Sequence, residues 1–301
     1  MAGSDADLVY VVSLDAGVSW TSPALVVPAA ATTDSAADDD IAAALALSAD
    51  GSTVVVAWTA VGADEDIVAA VYNVAAGAFE ATSPHYVNTN YAADSGDDRA
   101  VALIATADGS MLAVWQSDES AVGSAGALGT DIDLLVARSS DNGRSWASPE
   151  PLFPALATAD SQSEYAPAFA APMLAGSPLG LVWYAPGSWG GGVSTGSDFE
   201  IFFATSTDAA GAIWTAPLRI ASNAASDGSA RDYSPSLSVS TDGVWTVTWH
   251  SEATSYTRPS TGTFVALGSD TDILYSRSVD GGASWSAVNI LNVNAPSDDG
   301  N

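Results

Sequence analysis

Apolar and polar residues alternate with a period of two along much of the chain, most plainly in Trp245-Thr246-Val247-Thr248-Trp249. That period predicts half-buried β-strands. The runs come in pairs joined by a tight turn, at Asp50-Gly51, Asp108-Gly109 and Asp242-Gly243. Asp-Gly between apolar runs is a strong hairpin signal because both residues tolerate a positive φ. These hairpins run from Ile41 to Trp58, Ala100 to Trp115 and Ser234 to Trp249; a fourth, Ala166 to Trp183, turns through Ala175-Gly176-Ser177-Pro178. Gly, Pro, Ser and Asp interrupt every candidate helical window, so the chain reads as almost wholly β.

A second unit recurs between these hairpins. The pattern Ser-x-Asp-x-Gly-x-x-Trp is intact at Ser13-Asp15-Gly17-Trp20, Ser139-Asp141-Gly143-Trp146 and Ser278-Asp280-Gly282-Trp285. Ser206-Asp208-Gly211-Trp214 carries one extra residue, and Asn73-Ala75-Gly77-Phe79 is a worn copy. Each follows an apolar run headed by two acids, which gives strand, turn, strand near 7–28, 66–88, 133–153, 200–220 and 272–291. The Asp accepts hydrogen bonds from its own turn, the Gly takes a positive φ, and the Trp anchors the returning strand. Alternating the two units builds blades of four antiparallel strands, and repeats of this size point to a β-propeller.

The turns resemble the Asp-box (BNR) repeat of sialidases and related β-propellers. The resemblance implies an all-β propeller in which Asp15, Trp20, Asp141, Trp146, Asp208, Trp214, Asp280 and Trp285 are structural, because in that family the box lies on the rim, away from the catalytic face. Five outer hairpins against four inner ones predict four full blades and one half-blade in a single domain over residues 1–301. The unmatched half predicts completion of the ring by further chain or another subunit, since a bare strand edge invites pairing.

Charge narrows the partners. Against 36 acidic residues stand 7 basic ones, all Arg, for a net charge of -29. Such a field excludes nucleic acid and anionic membrane as partners. Asp outnumbers Glu 29 to 7, which suits turns rather than helices. With no Cys and two His, disulfides and zinc are not expected, and a metal would be held by oxygen, calcium being the candidate. No apolar run approaches the ~20 residues of a membrane helix, and no charged-then-apolar leader precedes the first repeat. An extracellular or cell-surface location without direct membrane insertion is the expectation, with no signal peptide in these residues.

Two sets of acids map to the face opposite the Asp-box turns. Pairs precede each third strand, at Asp5/Asp7, Asp64/Asp66, Asp131/Asp133, Asp198/Glu200 and Asp270/Asp272. Single acids head each innermost strand, at Asp40, Asp98, Glu164 and Asp232. A ring of these four would raise the members' pKa values or recruit calcium; capping of local loops is the alternative. The sialidase resemblance further implies an Arg-Ile-Pro motif on an innermost strand, two more Arg, a Tyr/Glu nucleophile pair and an Asp acid/base. Arg99-Ala100-Val101 stands in the motif's place, Tyr165-Ala166-Pro167 and Tyr233-Ser234-Pro235 keep only its Pro, and Arg231 lies two residues from the matching position.

Arg99, Glu164, Tyr165, Arg231 and Tyr233 are thus the catalytic candidates, although they do not make a three-arginine clamp. Loops at 116–130, 184–197 and 250–269 offer Trp189, His250, Tyr256 and Arg258 for binding. The expected function is a non-catalytic binding or surface module for a glycan or cell-surface protein, with the acidic loop face as the binding surface and calcium as the candidate ion. The alternatives are a glycoside hydrolase of the exo-sialidase type and a structural repeat of a larger surface protein.

Overall fold

The computed structural model describes residues 6–26, 39–82, 84–93, 95–122, 126–158, 161–171, 177–187, 198–221, 229–258 and 262–292. The first unit is a lone outer hairpin, β1 (Val9–Tyr10) and β2 (Ala24–Leu25). Blade 1 follows with β3 (Asp40–Leu47), β4 (Thr53–Val61), β5 (Glu65–Asn73) and a broken outer edge, β6 (Ala78–Phe79) and β7 (His85–Tyr86). Blade 2 pairs β8 (Asp98–Ala105), β9 (Met111–Ser117), β12 (Asp133–Ser139) and β13 (Glu150–Pro151), with a small hairpin, β10 (Ala121–Val122) and β11 (Gly126–Ala127), in its loop. One short helix, α1 (Pro154–Ala157), leads to blade 3: β14 (Tyr165–Ala170), β15 (Gly180–Pro186), β16 (Phe199–Thr205) and β17 (Leu218–Arg219). Blade 4 comprises β18 (Asp232–Val239), β19 (Trp245–Ser251), β22 (Asp272–Ser278) and β23 (Asn289–Ile290); its loop carries β20 (Ser255–Arg258) and β21 (Thr263–Ala266). All pairings are antiparallel, and the four blades plus half-blade follow the sequence pattern.

Alternation dictates how blades join. In β9, Trp115 packs toward blade 1 with Ala57 and Ile67, while Val114 packs toward blade 3 with Leu181 and Trp183. Trp58 likewise meets the half-blade, and Trp249 meets blade 3. At the junctions between blades the two faces of a central strand thus pack on different neighbours, and burial of these large side chains is the main cohesive term.

The Asp-box turns are clamps. Ser139 Oγ accepts from Gly143 N at 2.8 Å, and Asp141 accepts from the backbone N–H of Arg144 and Ser145. The Gly N–H to Ser Oγ bond and the Ser N–H to Asp carboxylate bond recur around Ser13/Asp15 and Ser278/Asp280. Each docked box then presses its glycine onto the preceding blade: a Cβ would lie 2.3 Å from Val55 at Gly143, 2.6 Å from Leu112 at Gly211 and 2.2 Å from Phe203 at Gly282. Positive φ and close approach both require glycine there. Asp208 keeps one such bond, to Ala212 N at 2.7 Å, and Trp214 Nε1 donates to Gly211 O. Trp285 meets Phe203 edge-on, Trp146 is buried, and Trp20 stays exposed because its unit has no blade before it among the described residues.

Candidate functional site: an aromatic cleft between blades 3 and 4

Each innermost strand departs from regular geometry at one equivalent point. Ala42, Ala100, Ala166 and Ser234 have φ of 53°, 55°, 47° and 50°, and each lies in a β-bulge. A left-handed non-glycine residue costs about 1–2 kcal/mol, and bulges re-aim the neighbouring side chain. The side chains so placed are Ile41, Arg99, Tyr165 and Tyr233, three of them catalytic candidates. The sequence signal was an acid, a variable residue and a small residue in succession; periodicity alone does not see it.

Between blades 3 and 4, Tyr233 enters a cleft of about 220 Å³ that it lines with Tyr184, Phe199, Arg231 and Glu252, and Tyr165 packs behind two of these. Tyr165 stacks on Tyr184 across the β14–β15 pair with centroids 5.1 Å apart, and both meet the edge of Phe199, at 5.6 and 5.2 Å. The Arg231 guanidinium lies 5.9 Å over the Phe199 ring, a cation–π arrangement. Across the cleft, Tyr233 is edge-on to His250 at 5.5 Å, and its hydroxyl is 3.3 Å from Thr271 Oγ1. The Glu252 backbone N–H donates to Arg231 O at 3.0 Å, which fixes both charged residues at the same rim. Burial, with Tyr165 beside it, holds the Tyr184 phenol above its ordinary pKa, so it stays a neutral hydrogen-bonding group.

The other candidates are dispersed. Arg99 is engaged by Glu65 and, at 2.5 Å, by Asp97, so its planar fork is already filled by carboxylates. Glu164 is buried and lines a crevice toward blade 2 with Asp133, Leu134 and Phe153, whereas the next residue, Tyr165, joins the aromatic wall. Adjacent strand residues point to opposite faces, which separates this Glu from its Tyr neighbour. Tyr256 corrects an expectation: β20 and β21 fold its loop into a hairpin, and its ring is buried against Leu267 and Val265 rather than offered to a ligand. His250 is exposed at the cleft, the Arg258 side chain lies outside the described residues, and so does Trp189.

The four acids that head the innermost strands stand one to a blade, and Asp40 receives the Trp58 indole N–H at 2.6 Å. Strand register also sets an acid of the third strand against the same central residue: Asp98 and Asp133 both pair with Ser117, and Asp232 and Asp272 both pair with Ser251. Among the described residues no three carboxylate or imidazole groups gather as a metal site, and calcium asks for six to eight oxygens. The sequence missed Tyr184, Phe199 and Glu252; the signal for Phe199 was an aromatic standing between Asp198 and Glu200, two acids that are themselves buried.

No family model matches the chain, and no curated protein does. Solved structures do resemble it. A protein of unknown function from Dyadobacter fermentans superposes with a TM-score of 0.57 at 15% identity, over 84% of this chain and 69% of that one. The intramolecular trans-sialidase of Ruminococcus gnavus gives 0.57 at 12%, over 85% and 71%. The Hadza microbial sialidase Hz136 gives 0.50 at 13%, over 87% of this chain and 60% of the sialidase. The fold is that of the sialidase-like propellers, and at these identities the likeness is one of fold alone.

Proposed function

We propose that this protein is a non-catalytic glycan-binding module whose cleft between blades 3 and 4 takes a neutral sugar. The observation that carries this reading is the cleft's make-up: the aromatic side chains of Tyr184, Phe199 and Tyr233, with one guanidinium and one carboxylate beside them. Sugar rings present apolar C–H faces and hydroxyl edges, which suit aromatic walls and a few polar groups. A cleft of about 220 Å³ suits one ring rather than a long chain. Glu252 beside Arg231 and the net charge of -29 disfavour an anionic sugar. Saturation-transfer NMR against lactose, cellobiose, arabinobiose and sialyllactose tests this. A neutral disaccharide should bind, and Tyr233→Ala should weaken it about tenfold, equivalent to ~1.4 kcal/mol. Binding unchanged in Tyr233→Ala, or no binding by any member, would refute it.

The second reading is a glycoside hydrolase of the sialidase type, favoured by Arg99 at the bulged innermost-strand position. Its fork is held by Glu65 and Asp97, so substrate would have to displace or share those carboxylates. Hydrolysis of a fluorogenic sialoside that disappears in Arg99→Ala would replace the binding-only reading with this one.

A further inference from the structure

Consecutive blades bury one equivalent residue of each innermost strand against the blade before: Leu103 is 9% exposed, Leu237 is 8% exposed, and Phe169 is half-buried. On β3 the same register position is Leu45, and it is 71% exposed, with Leu47 beside it at 55%. Among the described residues the unit before blade 1 shows an outer hairpin alone, and nothing lies opposite these leucines. The third strands β5, β12, β16 and β22 each pair on both sides, whereas among the described residues β1, their counterpart, pairs with β2 alone. A bare strand edge and an apolar row thus border one slot beside blade 1.

The other end of the array is built differently. The face of blade 4 that would meet a following blade carries Ser236, Ser238, Thr246, Thr248, Tyr275 and Arg277. At the same register positions blade 1 has Ala44, Ala46, Val55, Ala57, Ala69 and Val71, all packed against blade 2. A polar outer face is what a terminal repeat needs, and it is a poor cover for exposed leucines. A second copy applied head to tail would therefore leave Leu45 and Leu47 against hydroxyls and a guanidinium.

We infer that the slot between β1 and Leu45/Leu47 is the seat of a β-hairpin of the inner-blade type, from polypeptide outside residues 1–301, which pairs with the β1 edge and lays an apolar face on the leucines. The junctions of blades 1 to 4 supply the template, since each buries such a hairpin in that place. Strand addition supplies main-chain hydrogen bonds, and alternate side chains supply selectivity.

Two peptides with this chain's own sequence serve as probes. Residues 98–117 present Leu112 and Val114 on the face that meets the following blade, whereas residues 232–251 present Thr246 and Thr248. By fluorescence anisotropy with the full chain, the labelled 98–117 peptide should bind saturably, the 232–251 peptide at least tenfold more weakly. Leu45→Asp should abolish the difference, and Leu47→Asn serves if circular dichroism shows that variant unfolded. Equal binding of both peptides, binding of neither, or indifference to both substitutions would overturn the inference. So would a concentration-dependent dimer lost in Leu45→Asp, which would make a second copy the occupant.

Discussion

The Asp-box carboxylates show how a single residue acts on the fold. Asp15 is pulled down to about 2 by the Ser19 hydroxyl first, then by the Ser19 N–H and the Ser13 hydroxyl. Asp280 reaches about 2 through Ser284 and Ser278 in the same order. Their folded values lie below the unfolded 3.8, so their contribution is complete above that value and is lost as pH falls through about 2. Urea melts should therefore show stability declining from near pH 4 toward pH 2, and carboxyl NMR titrations of Asp15 and Asp280 should give midpoints near 2. Midpoints at the free-carboxylate value would mean that the turns are not formed in solution. This chemistry was legible in the spacing of Ser, Asp and Gly. The bulges at Ala42, Ala100, Ala166 and Ser234 were not, because alanine and serine do not by themselves favour a left-handed backbone.

At the scale of elements, the outer hairpins do more than close a turn. Gly51 and Gly282 both have positive φ, 70° and 90°, but only Gly282 is pressed on another blade; a Cβ at Gly51 would meet nothing within 4 Å. Gly51→Ala should cost only backbone strain, about 1 kcal/mol. Gly282→Ala adds displacement of Phe203, bringing the loss to roughly 2–4 kcal/mol. Chemical denaturation midpoints compare the two; equal losses would mean that the box does not clamp blade 4 to blade 3. The sequence announced both glycines in the same way, as turn residues, and was silent on which one touches a neighbour. Within 250–269, expected as a loop, Ser255–Arg258 and Thr263–Ala266 pair as antiparallel strands.

Across the whole molecule the charge balance governs behaviour. Arg99 pairs with Glu65 and Asp97, and Arg144 with Glu80, but 7 basic residues cannot balance 36 acidic ones, and the net charge of -29 repels itself across the molecule. Salt shortens the Debye length from about 10 Å at 0.1 M to about 3 Å at 1 M, so the melting temperature should rise steadily with sodium chloride. Calcium at matched ionic strength should raise it no further than magnesium does, because no three carboxylate or imidazole groups gather as a metal site among the described residues. A calcium-specific rise reversed by a chelator would reveal a site that the described residues do not assemble.

The sequence by itself determined the repeating parts: strand periodicity, the Asp-Gly and Asp-box turns, the Trp anchors, and the count of four blades and a half. These are local properties, set by alternation and by what Asp, Gly and Trp do within eight residues. Tertiary structure alone decided which side chains meet. Arg99 faces Glu65 from 34 positions away, Tyr165 stacks on Tyr184, and Arg231 covers Phe199. Those encounters depend on the pairing register of strands within a blade and on the packing of one blade upon the next. Neither is written in the spacing of any single repeat, which is why the scaffold could be read from the chain and the cleft could not.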